Sequence, residues 1–126
     1  MTILAVLRHD EGIRVDAERL VSLYAGRSKR EAEEVLQRGI EDIAARLTEM
    51  QRHFDAADWP ALIRSARFAA RMAEPLGMAS FSLVAQDLVR STVAVDAPAR
   101  AATMARLRRI ADRSVTAIRD LRDMTM

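Results

Sequence analysis

The sequence predicts an all-α protein, an up-down-up-down antiparallel four-helix bundle with a short additional N-terminal helix. Half of the 126 residues are hydrophobic, and they recur at the three- and four-residue spacing of helices along most of the chain. Aromatic residues make up only 4%, which is unusual for a β-sandwich. The segments between the predicted helices are short, so successive helices should be antiparallel neighbours. The length fits one domain, residues 1–126, with residues 1–15 as an N-terminal extension.

The first fifteen residues lack a helical pattern. The apolar residues between positions 3 and 7 could form a short strand or an apolar tail laid on the bundle, and Gly12 ends this run. Asp16 follows as a plausible N-cap, because its carboxylate can accept hydrogen bonds from the free N–H groups of a first helical turn. A short helix is therefore predicted over 17–25, and Gly26 ends it.

The longest predicted helix begins at Ser28 and continues to about position 54. Ser28 and Glu31 have the spacing of a capping box, in which each residue satisfies a free N–H group of the other. Gly39 lies inside the helix at a cost of about 1 kcal/mol relative to alanine, which indicates a close crossing with another helix. One face carries a continuous apolar stripe: Ala32, Val35, Leu36, Ile40, Ile43, Ala44, Leu47, Met50 and Phe54.

Two further helices fill the stretch 58–89, with a junction at Leu76 and Gly77. Asp58 can cap the first helix and Pro60 suits its first turn, where a missing N–H group does no harm. Gly77 can adopt the left-handed conformation that closes a helix. The apolar faces are Leu62, Ala66, Ala69, Met72, Ala73 and Leu76 in the first helix, and Phe81, Val84, Ala85 and Leu88 in the second.

The last predicted helix starts at Asp96, with Pro98 in its first turn. Its apolar side chains should meet those of the earlier helices in one interior. We expect the following residues to share this core: Leu47, Leu76, Phe81, Leu88 and Leu107.

The order of parts in the middle of the chain is that of a known family. An Asp58–Trp59 helix start is followed by a helix rich in small residues, by Leu76–Gly77, by Phe81, and by Leu88 seven places later. This order resembles the histidine-containing phosphotransfer (HPt) domain of bacterial phosphorelays. The resemblance implies the four-helix bundle fold and a role in two-component signalling.

The family's chemistry is missing from this sequence. In the family, a phosphoacceptor histidine stands ten residues before the glycine, with a lysine three and a glycine four places after it. Arg67, Ala70 and Arg71 occupy these positions here. The resemblance therefore implies a divergent member that binds a response-regulator receiver domain or a sensor histidine kinase without carrying phosphate. Its partner-binding face, the family's phosphoacceptor face, would comprise Arg64, Arg67, Ala70 and Arg71.

Two other interpretations remain open. The sequence has two histidines, His9 and His53, and neither has the family's lysine and glycine after it. Both are expected to be solvated surface side chains, with His53 as the alternative phosphoacceptor of an active phosphotransfer protein. The third interpretation is a structural helical dimerisation module, in which two copies of the chain would form a homo-oligomer.

Composition and motifs disfavour several function classes. The net charge of +2 comes from interspersed charges of both signs, which argues against nucleic-acid binding. The lack of cysteine rules out disulfides and thiolate sites, and no apolar run is long enough to span a bilayer, so a cytoplasmic protein is expected. No glycine-rich phosphate loop or metal-binding histidine motif occurs. We therefore expect no catalytic residues, no metal and no cofactor, and no enzyme activity.

Overall fold

The computed structural model describes residues 6–9 and 12–125 of the chain, with side chains for 12–124. The class is all-α, as predicted, because helices account for most of the described residues. A 3₁₀ turn, Glu74–Leu76, joins the third and fourth helices. The elements are β1 (Val6–His9), β2 (Ile13–Asp16), α1 (Ala17–Tyr24), α2 (Lys29–Asp55), α3 (Trp59–Ala73), α4 (Ala79–Val93) and α5 (Ala97–Thr125).

The helix starts follow the predicted capping residues. Asp16 accepts hydrogen bonds from two backbone N–H groups of α1. Ser28 and Glu31 form both bonds of the capping box at the start of α2. Asp58 and Asp96 each accept a hydrogen bond from the N–H group three residues later, at the starts of α3 and α5. These local predictions are confirmed, since each depends only on neighbours in the sequence.

Successive long helices pack on one another. α3 contacts both α2 and α4, α4 contacts α5, and α5 also contacts α2. Arg108 in α5 donates to Gln51 at 2.8 Å, whereas Arg119, further along α5, donates to Gln37, nearer the start of α2, at 3.4 Å. α2 and α5 therefore run antiparallel.

The predicted core is confirmed in most of its members. Phe81, Leu88 and Leu107 have no solvent exposure and Leu76 is also buried. Leu47 is only half-buried and packs against the edge of the core. In the same helix, Ala44 is exposed, so its inclusion in the apolar stripe of α2 was wrong.

Gly39 lies close to the 3₁₀ turn Glu74–Leu76, whereas a crossing with another helix was expected. A Cβ atom at this position would stand 2.6 Å from Cδ2 and 2.9 Å from Cδ1 of Leu76. The side chain of Leu76 therefore fills the space that any larger residue at position 39 would need.

The N-terminal segment contains a β-hairpin, which the sequence predicted only in part. β1 and β2 pair antiparallel, with His9 opposite Ile13. The strand alternative is correct for Val6 and Leu7, and β1 continues beyond the expected run to His9. The strand β2 was not expected, and the rest of the apolar run, 3–5, lies outside the described residues. Ile13 and Val15 are fully buried, so β2 belongs to the core rather than to an extension.

Two hydrogen bonds donated by backbone N–H groups of β2 fix this hairpin to the junction of α3 and α4. The N–H group of Asp16 donates to the carbonyl of Gly77 at 2.9 Å, and that of Arg14 donates to the Ser80 hydroxyl at 2.7 Å. Gly77 has φ +78°, the predicted left-handed conformation, and a Cβ there would lie 2.8 Å from the Asp16 carbonyl oxygen. The glycine is thus required both by its own backbone angle and by the approach of β2.

The aromatic residue at the start of α3 joins three helices. Trp59 packs edge-to-face against Phe54 at the end of α2, with ring centroids 5.9 Å apart. The guanidinium of Arg100, a buried residue of α5, lies 3.7 Å from the centroid of the Trp59 ring. This cation–π contact gives the Asp58–Trp59 start a structural role in the packing of α2, α3 and α5.

Candidate functional site: an arginine-rich cleft between α2 and α3

A cleft of about 560 Å³ opens between α2 and α3. We call it the arginine cleft, because four guanidinium groups line it. Its lining residues are Arg46, Glu49 and His53 from α2, and Ala61, Arg64, Ser65, Arg67, Phe68 and Arg71 from α3.

The sequence of α3 explains how three of these arginines reach the surface together. Arg64, Arg67 and Arg71 are spaced by three and four residues, which places them on one helix face, while alanines fill the buried face. All three are exposed, as predicted. Within the part of the chain that the structure describes, none of them has a carboxylate at ion-pair distance. Their positive charge is therefore available to a ligand.

A fourth arginine approaches from α2 and is held more firmly. Arg46 donates to Oε1 of Glu49 at 2.6 Å, and its guanidinium lies 4.4 Å from the centroid of the Phe68 ring. The guanidinium of Arg71 stands 5.7 Å from the same ring. Phe68 is 40% exposed and thus separates and orients two cations at the mouth of the cleft. Arg46 was not predicted as a site residue. Its only distinctive feature in the sequence is a glutamate three positions later, which is a common surface pairing in helices.

Glu49 is the one carboxylate among the lining residues. Its pKa is lowered, first by the hydrogen bond from Arg46, then by the charge of Arg46, the Ser65 hydroxyl and His53, while partial burial opposes the shift. The Ser65 hydroxyl donates to Oε1 of Glu49 at 3.3 Å. The carboxylate therefore stays ionised at neutral pH and neutralises one of the four guanidinium groups, which leaves the cleft with a formal charge of +3 when His53 is neutral.

His53 lies in the same cleft as the arginine row. It is half-buried in the last turn of α2 and lines the cleft together with Arg64 of α3. The sequence alone does not show that His53 lies near the arginines, because their proximity depends on how α2 packs against α3. The side chain of His9 lies outside the described residues.

Ala70 does not belong to this surface, so its assignment to the partner-binding face was wrong. It is only 5% exposed, and its carbonyl accepts a hydrogen bond from the Ser82 hydroxyl of α4 at 3.1 Å. A residue three places after Arg67 lies about 60° around the helix from it, and here that rotation points towards α4. A lysine at this position would have to enter the core.

Comparisons with protein-family models, with curated proteins and with solved structures give no significant match. None of the helices in the described part of the chain combines the length and hydrophobicity needed to cross a membrane. The described side chains also contain no group of three or more histidines and carboxylates that could hold a metal ion.

Proposed function

We propose that the protein is an HPt-like helical domain of bacterial two-component signalling that binds a receiver domain or a sensor histidine kinase and carries no phosphate itself. The proposal includes an up-down-up-down four-helix bundle formed by α2 to α5 and a cytoplasmic location. The antiparallel course of α2 and α5 and the packing of each long helix on the next support that arrangement.

The observation that carries the proposal is the unpaired arginine row of the arginine cleft. Arg64, Arg67 and Arg71 are exposed within two turns of α3 and have no carboxylate partner among the described residues. Guanidinium groups bind carboxylates and phosphoryl groups in bidentate fashion. The active site of a receiver domain is a cluster of aspartates, which is a complementary surface for such a row.

The same residues argue against phosphotransfer. An arginine at position 67 cannot accept a phosphoryl group as an imidazole does, and Arg71 fills space that a glycine would leave open to a partner. The buried position of Ala70 leaves no room for a phosphate-holding lysine on this turn. We therefore propose a binding domain without enzyme activity.

The test is a binding experiment with a set of purified receiver domains. For a receiver that binds, Arg67→Glu should weaken the affinity by about tenfold or more, because it places a negative charge against aspartates. The salt dependence of binding should decrease as well. Arg109→Glu, an exposed change of the same charge in α5 outside the cleft, is the matched control. Equal losses for both variants, or none, would refute a docking role for the arginine row.

A second candidate function is phosphotransfer through His53, since this histidine lines the same cleft as the arginines. Incubation with a phosphorylated receiver domain distinguishes the two. We expect no acid-labile phosphate on the protein, and we expect His9→Gln combined with His53→Gln to leave receiver binding unchanged. Phosphate uptake that His53→Gln abolishes would favour the second candidate over the first.

A further inference from the structure

We infer that the arginine cleft binds a phosphoryl dianion, so that the domain distinguishes the phosphorylated from the unphosphorylated form of its partner. This inference rests on the proposed function for the nature of the partner. The chemistry of the cleft itself is argued from its lining residues.

The first argument is the concentration of charge. The whole chain has a formal net charge of +2, whereas the lining of the cleft carries +3, so the rest of the molecule sums to −1. Arg64, Arg67 and Arg71 lie on α3, which contains no acidic residue, and the packing of α2 on α3 adds Arg46 to the same concave site. A concave site focuses this potential, and a single carboxylate would neutralise only a third of its excess charge. A dianion with several acceptor oxygens matches it better.

The second argument is the way in which Arg46 is held. The carboxylate of Glu49 and the ring of Phe68 fix its guanidinium from two sides. Its Nε atom is buried and has no acceptor among the described residues. A buried donor without an acceptor costs free energy, so the protein itself leaves part of the hydrogen-bonding capacity of this guanidinium unsatisfied.

The third argument is the arrangement of the remaining donors. Arg64 and Arg71 are seven residues apart, which corresponds to about 10 Å along α3, and Arg67 lies between them. Arg46 lines the same cleft from α2, and it shares Oε1 of Glu49 with the Ser65 hydroxyl as a hydrogen-bond acceptor. Long arginine side chains from both helices can converge on one phosphoryl group, whose three oxygens accept hydrogen bonds from several guanidinium groups.

The direct test uses inorganic phosphate at constant ionic strength and follows backbone amide shifts of the isotope-labelled protein by NMR. We expect saturable shifts confined to the C-terminal part of α2 and to α3, which line the cleft. The double variant Arg64→Gln with Arg67→Gln should lower the affinity by about tenfold or more, while Arg106→Gln with Arg109→Gln, exposed changes of equal charge in α5, should leave it unchanged. Linear, unsaturated shifts, or equal losses in both double variants, would overturn the inference.

A charge-neutral variant separates a built site from a diffuse positive potential. Arg46→Gln combined with Glu49→Gln removes the fixed pair and keeps the net charge of the cleft. We expect weaker phosphate binding by about threefold or more, with an unchanged far-ultraviolet circular dichroism spectrum, because the fixed guanidinium donor is lost. Unchanged phosphate affinity in this variant would mean that only long-range charge acts and would overturn the site as described.

The source of the phosphoryl group is tested with the partner. A receiver domain carrying phosphate, or beryllofluoride in its place, should bind at least about fivefold more tightly than the free receiver, and inorganic phosphate should compete. Equal binding of both forms would overturn the inference and leave the proposed function intact. Phosphate binding in the cleft without binding of any receiver would refute the proposed function and assign the site to a free phosphate compound. Tighter binding of a single-stranded oligonucleotide than of a phosphorylated receiver would overturn the inference.

Discussion

The close approach of Leu76 to Gly39 allows a prediction in which two opposing effects on stability can be separated. In an isolated helix, Gly39→Ala should stabilise by about 1 kcal/mol through helix propensity. In this fold, the new methyl group would stand 2.6 Å from Cδ2 of Leu76, about 1 Å inside the optimal distance between carbon atoms. Overpacking of a well-filled core costs roughly 1–3 kcal/mol. We therefore expect the single variant to lose stability, by up to about 2 kcal/mol.

The same change should have the opposite sign once the obstructing atoms are removed. Leu76→Ala alone should cost about 2–5 kcal/mol as a buried truncation. In that background, Gly39→Ala meets no Cδ atoms and should restore up to about 1 kcal/mol. The double-mutant cycle should therefore give a coupling energy of about 1–3 kcal/mol.

Urea denaturation followed by circular dichroism measures all four free energies of unfolding. Thr48→Ala, at an exposed position of α2, is the control, because its effect should be the same in both backgrounds. If Gly39→Ala stabilises the parent and the Leu76→Ala variant by equal amounts, α2 does not cross Leu76 as closely as the structure indicates.

Three further predictions concern the core, a helix cap and the cleft. Phe81→Ala should lower the free energy of unfolding by about 3–5 kcal/mol, because this side chain is fully buried. Leu83→Ala is the control: this side chain of the same helix is 53% exposed, and its loss should change the free energy of unfolding by about 0.5 kcal/mol. Similar urea midpoints for the two variants would contradict the register of α4. Ser28→Ala should lower the free energy of unfolding by about 0.5–2 kcal/mol, because the capping box is lost. The melting temperature should fall accordingly, and an unchanged melting temperature would contradict this prediction. The pKa of Glu49 is lowered in the folded protein, so its stabilising contribution is complete above the ordinary glutamate pKa and is lost as the pH falls through the folded value. NMR titration should show that midpoint rising in Arg46→Gln, and an unmoved midpoint would exclude Arg46 as the main cause.

Local chemistry made the helix boundaries predictable. The caps at Asp16, Ser28, Asp58 and Asp96 each depend on N–H groups within three residues, so the sequence contains all the information they need. The apolar stripes also predicted the buried faces, because helical periodicity is a property of each segment alone. The end of α4 was placed too early, at about 89 instead of Val93, because the apolar periodicity fades before the helix does.

The hairpin and the cleft depend on tertiary packing and could be predicted only in part. β2 is only four residues long, and its hydrogen-bond partners Gly77 and Ser80 lie more than sixty positions away in the sequence. No local sequence pattern therefore predicts this strand. Spacing along α3 predicted that the arginine row is exposed, but the contribution of Arg46 and His53 depends on the register of α2 against α3. Ala70 was wrongly assigned to the exposed face, because the family motif gives only spacings along the chain, whereas the exposure of a side chain depends on its angle around the helix.

The attachment of β2 to the junction of α3 and α4 has a consequence for the order of folding. The hydrogen bond from Arg14 to Ser80 closes a loop of 66 positions, whereas each pair of successive long helices is joined by a short turn. Because closing a long loop costs more chain entropy, the helices should associate first and the hairpin should dock late, after the rate-limiting step. Substitutions that strengthen the packing of Ile13 or Val15 would then slow unfolding and leave the folding rate nearly unchanged. The hairpin would therefore determine how long the native state persists, and the helices how quickly it forms.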